Sequence, residues 1–157
     1  MNEELGRFGL AGELCGILMR HGFQIESYEP CDPVYFGNGS LILRSPELRI
    51  QLVDDRGDKF IMYAGPTSSR WIDEHHVAQL FAPQCVASDG MSMRLSSGDT
   101  LYHLLGEYWP SIVRGFSESQ LPATLRAVEE IERVRRDRFR EEQRVAGWLP
   151  SEEDVNQ

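Results

Sequence analysis

The histidines are the first residues in this sequence whose chemistry would suit a catalytic or metal site. His75 and His76 follow Glu74, and His103 precedes Glu107 by four residues, a spacing that places two side chains on one helix face. A metal site needs three or four convergent ligands, whereas adjacent residues on a helix point about 100° apart. His75 and His76 are therefore expected to be solvated on a polar helix face, and the sequence predicts no metal and no cofactor.

The three cysteines, Cys15, Cys31 and Cys85, offer a second route to chemistry. A cysteine beside a histidine can act as a nucleophile, but an isolated cysteine is more often a buried, inert thiol. No CxxC pair is present, which favours reduced thiols and a cytoplasmic location. The sequence also has no GxSxG motif, no Walker loop and no GxGxxG after a strand, so no motif names an enzyme.

A cluster of acidic residues lies at one predicted hairpin turn, where Asp54, Asp55 and Asp58 surround Arg56 and Gly57. Such a cluster could bind a hard cation, but the Dx[DN]x[DN]G pattern of an EF-hand loop is absent. Turn-forming acids are the ordinary occupants of such a position. We expect these acids to lie on the surface, where they could contact a basic protein.

Aromatic residues near that turn would complete a protein-binding surface. Aromatic side chains supply much of the binding energy in protein interfaces. The sequence places several of them on the strands and the loop beside the acidic turn. The predicted partner-binding residues are Asp32, Tyr35, Asp54, Asp55, Asp58 and Tyr63.

Size and charge limit the class of partner. The chain has 157 residues, which suits one domain with one core, and its net charge is −9. Phosphate binding needs clustered basic residues, so a basic protein is the expected partner and direct nucleic-acid binding is not expected. No apolar run reaches the ~20 residues needed to cross a membrane, and the amino terminus lacks the basic start of a signal peptide.

The strands that would position these residues centre on residues 36–64. Leu48, Ile50 and Leu52 alternate with more polar residues, which is the period of a strand with one buried face. Tight turns separate this strand from its neighbours in the sequence. The predicted strands cover residues 23–28, 41–44, 48–54 and 59–64.

The last predicted strand is apolar on both faces. Phe60 and Met62 point one way, and Ile61 and Tyr63 point the other. We therefore expect residues 59–64 to lie centrally in the sheet or to be covered on the second face by a helix.

Helices are predicted on both sides of this meander in the sequence. Gly22 ends the first of them, and Ser or Thr residues at 67–69 offer caps for the second. Pro110 kinks or ends the third, and residues 84–99 suit either a short strand or an ordered loop. The predicted helices cover residues 3–20, 71–81, 99–108 and 121–146.

Together these elements predict an α+β fold. An N-terminal helix precedes a meander of about four antiparallel strands, and three helices follow, of which the last is long. We expect one domain over residues 1–146 and an acidic, flexible tail over residues 147–157.

The last predicted helix changes character along its length. Its apolar stripe, from Leu121 through Val128 to Val134, should pack on the domain. Over residues 126–144 the sequence holds seven arginines and six acids, so the negative charge of the chain belongs to the rest of the domain.

Charged pairs and isolated apolar residues mark the far part of the same helix. Glu129 and Arg133, like Glu132 and Arg136, have the four-residue spacing that stabilises a helix surface by ~0.2–0.5 kcal/mol. A second copy of the chain could pair with this end through its apolar residues, which would make a homodimer. Those apolar residues are Phe139 and Trp148.

The segments FGN, LILRS, LRIQLVDDRG and FI, followed by a Trp-Ile-Asp helix start, resemble a type of small bacterial α+β protein associated with immunity in polymorphic toxin systems. The resemblance spans about residues 23–81. It implies a cytosolic single-domain protein that neutralises a cognate toxin by binding it, and it transfers no catalytic residue.

Two functions therefore stand side by side. The first is a non-enzymatic protein-binding module with an acidic surface for a basic partner. The alternative is a small enzyme or ligand-binding protein with a pocket between sheet and helices, where His75 or His103 and a carboxylate would transfer protons. Convergence of His103, Glu107 and Cys85 in one pocket would favour the alternative.

Overall fold

The computed structural model describes residues 10–29, 39–55, 58–88, 92–95, 97–146 and 148. Within these residues one antiparallel sheet contains five strands in sequence order, and the chain also forms five α-helices. The strands are β1 (Gln24–Glu29), β2 (Gly39–Arg44), β3 (Arg49–Asp55), β4 (Asp58–Ala64) and β5 (Ile72–Asp73). The helices are α1 (Leu10–Arg20), α2 (Glu74–Phe81), α3 (Ser97–Gly106), α4 (Trp109–Phe116) and α5 (Leu121–Val145). The predicted α+β fold with a long C-terminal helix is confirmed.

One face of the sheet forms the core, as the alternation in β3 predicts. Leu48, Ile50 and Leu52 are buried, whereas Arg49 and Gln51 are only partly so. Side chains from all the helices join them in a single apolar cluster. Each large apolar side chain removed from water in this way contributes roughly 1.5–3 kcal/mol to folding. Other members of the cluster from the sheet are Leu41, Leu43, Ile61, Tyr63 and Ile72.

The second face of β4 is less covered than the sequence suggests. This strand is fourth of the five, and β5 beside it has only two residues. Phe60 remains 48% exposed, and Met62 is partly buried. In the described part of the chain neither belongs to the core cluster or to the apolar residues packed against it.

Helix α1 ends where the sequence predicts. Gly22 adopts a positive φ of 86°, which favours glycine, and its N–H donates to the carbonyl of Met19. The N–H of Phe23 donates to the carbonyl of Leu18, which completes a Schellman motif. The predicted start of this helix, at residues 3–9, lies outside the described residues.

Helix α2 begins three residues later than predicted. Ile72 and Asp73 first pair with Tyr63 and Met62 as strand β5, so the chain cannot become helical before Glu74. The helix cap is Asp73, whose carboxylate accepts a hydrogen bond from the N–H of His76 at 2.9 Å. The prediction of a Ser or Thr cap from residues 67–69 was wrong, because a strand separates those residues from the helix.

For residues 84–99 and for Pro110 the sequence leaves two structures open. Gln84 and Cys85 belong to a 3-10 turn, Pro83–Cys85, Val86 and Met93 form an isolated β-bridge, and residues 97–99 belong to α3; residues 89–91 and 96 lie outside the described residues. Pro110 is the second residue of a separate helix, α4, where its missing N–H has no helical partner to lose. In the part of the chain that the structure describes, four α-helices follow the sheet, one more than predicted.

The buried residues of helix α5 lie near its beginning. Thr124 and Val128 are buried, whereas Val134 is 53% exposed, so the predicted packing of Val134 was wrong. Among the described residues no helix is long and apolar enough to span a membrane.

The ion pairs of α5 differ in part from those predicted. Glu132 and Arg136 do pair, at 3.8 Å, but Glu129 pairs at 2.6 Å with Arg70 of the loop before β5. Arg133 instead contacts two other acids of α5, Glu130 and Asp137. Exposed pairs of this kind contribute ~1 kcal/mol or less.

Candidate functional site

The first candidate site is the sheet face that lies away from the core. The strand register places Val53 opposite Phe60, and Gln51 opposite both Ile42 and Met62. Directly paired residues share a face, so these five side chains form one surface, which we call the open face. All are half-buried except Phe60, which is exposed.

Two of the predicted partner-binding acids lie at one end of the open face. Asp55 follows Val53 by two residues, and Asp58 precedes Phe60 by two, so alternation directs both toward the open face. They are also directly paired across the β3–β4 hairpin. Like charges on opposite residues of a sheet repel each other, which makes this end attractive to a cation.

The opposite end of the open face is basic. Arg44 and Arg49 are paired across β2 and β3. The guanidinium of Arg49 lies 4.9 Å from the centre of the Trp71 ring and 3.7 Å from the carboxylate of Glu26. A cation–π contact and an ion pair thus fix this end, and the open face runs from basic to acidic along its strands.

The remaining predicted contact residues do not lie on the open face. Asp54 alternates with Val53 and Asp55 and therefore lies on the opposite face of β3. Tyr63 is 0% exposed and packs 6.3 Å from the Phe116 ring, so its prediction as a surface contact was wrong. Tyr63 alternates with Met62 along β4 and therefore points toward the core. Two further predicted contacts, Asp32 and Tyr35, lie outside the described residues.

Burial also determines the chemistry of Tyr63. Burial, reinforced by the neighbouring carboxylate of Glu74, raises the pKa of Tyr63 well above its ordinary value. Glu74 is itself buried. The phenol therefore stays neutral, and its ring packs in the core.

The second candidate site is a cavity of about 390 Å³, which we call the His76 cavity. It lies between the start of α2 and the second half of α5. His76 lines it from α2, and the side chains that line it from α5 have mixed chemistry. Those residues are Glu132, Arg135, Arg136 and Phe139.

His76 is held in place by the residue that caps its helix. Its Nδ1 lies 2.9 Å from Oδ2 of Asp73, while its backbone N–H donates to Oδ1 of the same carboxylate. Partial burial alone would raise the pKa of Asp73, but the hydrogen bonds and charge of His76 outweigh it and lower that pKa. The imidazole is thus oriented by a carboxylate, the arrangement that fixes which nitrogen carries a proton.

The prediction that His76 is solvated was wrong. The residue is 5% exposed, because α5 passes over the start of α2. Its Nε2 is buried and has no hydrogen-bond partner among the described residues. A buried polar atom of this kind is costly unless a ligand or water satisfies it.

Three donor atoms at the same place could hold a divalent cation. One ligand atom from each of Asp73, His75 and His76 lies within 4.8 Å of the others. Adjacent histidines diverge on a helix, but the carboxylate of Asp73, which precedes the helix, lies close to ligand atoms of both. The two imidazole rings lie edge to face, with centroids 5.6 Å apart.

The other predicted chemical groups do not join the His76 cavity. His103 and Glu107 are exposed, and Cys85 is buried. Burial, then the charges of Glu74 and Glu107, raises the pKa of the Cys85 thiol, and burial raises that of Cys15. Protonated thiols are poor nucleophiles, so neither cysteine suits catalysis.

Sequence reasoning missed the residues that α5 contributes to the His76 cavity. Arg135 lies seven residues after the buried Val128, and Phe139 four residues further on, so both continue the stripe that faces the domain. An isolated phenylalanine on that stripe was the available signal.

Comparison of this chain with protein families, with curated proteins and with solved structures found no match. The immunity-protein resemblance therefore stays a prediction based on the strand and turn sequence alone.

Proposed function

We propose that this protein is a non-enzymatic binding module that docks a basic protein on the open face. The exposed ring of Phe60, among half-buried apolar neighbours, is the observation that supports this proposal. Apolar groups gathered on a surface and flanked by charge are typical of protein interfaces. The resemblance to immunity proteins makes a basic toxin the partner class.

The charges around the open face set the orientation of that partner. Asp55 and Asp58 attract a basic segment to the hairpin end, while the exposed Arg44 at the other end repels it. The net charge of −9 adds long-range attraction for a basic protein. The proposal therefore places the partner's basic residues over the hairpin and its apolar residues over Phe60.

The decisive experiment pairs partner capture with one substitution on the open face. Tagged full-length protein is used to isolate its partner from native extract, and any toxin encoded beside the gene is tested directly. Phe60→Ser should weaken the complex about tenfold or more, as loss of an aromatic hot spot does. Tyr102→Ser is the control, because Tyr102 is 67% exposed on α3, in the helical layer. Absence of any partner, or equal affinity for the Phe60 variant and the wild type, would overturn the proposal.

Charge variants test the orientation separately. Asp55→Lys should slow association, and the effect should shrink as salt rises from ~50 to ~500 mM, because ions screen steering charges. Asp54→Lys makes the same change on the other face of the same strand and should slow association less. Equal slowing by both variants would show that net charge alone, and not the open face, attracts the partner.

A further inference from the structure

We propose that the His76 cavity binds a small organic anion, a carboxylate or phosphate attached to an apolar body, through Arg135 and Phe139. This proposal does not depend on the proposed protein binding, although Asp73, which orients His76, is paired with Met62 of the open face.

Arg135 is the group that favours an anion. Most arginines of α5 are engaged by acids on the same helix, as Arg133 is by Glu130 and Asp137. Arg135 lines the cavity, and no ion pair joins it to another described residue. A guanidinium without a carboxylate partner, beside a concave surface, is suited to bidentate recognition of a carboxylate or phosphate.

The balance of charge in the cavity points the same way. Two arginines and one glutamate, Glu132, line it from α5, and Arg136 lies 3.8 Å from that glutamate. The carboxylate of Asp73 already accepts hydrogen bonds from His76. The lining is therefore neutral to positive in a chain whose net charge is −9. A cationic ligand in this cavity would lie beside two guanidinium groups.

His76 and Phe139 define the rest of the ligand. The buried Nε2 of His76 has no partner among the described residues, and its ring is fixed by Asp73, so it can contact a ligand without losing rotational freedom. Phe139 lines the same cavity and is 54% exposed, which leaves an apolar wall for the body of the ligand. A volume of about 390 Å³ is within the range of small-molecule sites.

The experiment is a titration of the full-length protein with phenyl phosphate, benzoate and inorganic phosphate. Binding is followed by calorimetry and by the NMR signals of the His76 imidazole. Phenyl phosphate, benzoate or both should shift those signals, and Arg135→Gln should weaken binding about tenfold or more, as expected for a charged hydrogen bond. Phe139→Ser should weaken binding of the phenyl compounds and leave inorganic phosphate unchanged. Comparing the three probes also shows which oxyanion is preferred.

Two controls make the test decisive. Arg140→Gln removes the same charge from the same helix, and Arg140 does not line the cavity, so its effect should stay within about twofold. Circular dichroism checks that each variant keeps its fold. Binding that fails to shift the His76 signals, or equal weakening by both arginine variants, would overturn the proposal. Loss of binding on addition of a chelator would also overturn it, in favour of a cation held by Asp73, His75 and His76.

Discussion

The two faces of the sheet are made by the same strands, but the rest of the chain buries one face more completely than the other. On the covered face, residues such as Ile50 and Tyr63 are excluded from water by the helices. On the open face, Phe60 is exposed and its neighbours are half-buried. Because side chains alternate along a strand, every second residue joins the core, and the residues between them lie on the less buried face.

The difference in burial is largest in β4, which carries apolar residues on both faces. Ile61 belongs to the core, whereas the adjacent Phe60 gains only part of the ~1.5–3 kcal/mol that full burial of a large apolar side chain provides. The proposed binding role of the open face depends on this exposure of Phe60.

The largest expected effect comes from removing the same side chain on each face. Ile50→Ala should lower the free energy of unfolding by about 2–5 kcal/mol, because Ile50 is fully buried and its loss leaves a cavity. Ile42→Ala on the open face should cost about 1 kcal/mol or less. Urea denaturation monitored by circular dichroism measures both. Equal losses would mean that the open face is as important to stability as the core.

A second, smaller effect tests how closely the helices pack above the covered face. A Cβ at Gly115 of α4 would overlap the ring of Phe81 from α2, so Gly115→Ala should destabilise by about 1–3 kcal/mol. Thermal unfolding followed by circular dichroism measures the change.

Gly106 is the matched control for that substitution. It ends α3, and no heavy atom lies within 4 Å of the position its Cβ would take. Gly106→Ala should be neutral or slightly stabilising, because alanine is the better helix former by up to ~1 kcal/mol. If Gly115→Ala were equally harmless, the helical layer would have room to shift that the structure does not show.

Sequence reasoning predicted the covered face well, because local patterns determine it. The alternation of Leu48, Ile50 and Leu52, the hairpin between β3 and β4, and the end of α1 at Gly22 all depend on residues close in the sequence. The burial of Tyr63 follows from the same alternation, and only its aromatic character suggested a surface role.

The candidate sites depended on contacts that no local pattern contains. Burial of His76 requires α5, whose cavity residues lie more than fifty positions later in the chain. The late start of α2 depends on the pairing of β5 with β4, which overrides the helical character of residues 71–73. The sequence therefore predicted where acids and aromatics occur but not which of them share a surface.

The smallest expected effect concerns Asp73, which lies opposite Met62 in β5 and caps α2, where the sheet meets the helical layer. Its pKa is lowered mainly by His76, against partial burial. A carboxyl group whose pKa is lower in the folded than in the unfolded state stabilises the fold above about pH 4 and loses that contribution as the pH falls through its folded pKa. Asp73→Asn keeps a capping oxygen but removes the charge.

Asp73→Asn should therefore cost about 0.5 kcal/mol or less near neutral pH, since the half-exposed carboxylate is screened by water. The difference from wild type should shrink as the pH falls below about 4, because the carboxyl becomes protonated first in the unfolded state and then, as the pH passes its lowered pKa, in the folded state. Urea midpoints at about pH 6 and about pH 3 measure it, with Asp73→Ala as the variant that loses the cap as well and costs about 1 kcal/mol. If the wild type instead gained stability relative to Asp73→Asn on acidification, the charge on Asp73 would destabilise this junction. The cap alone would then hold α2 to the sheet.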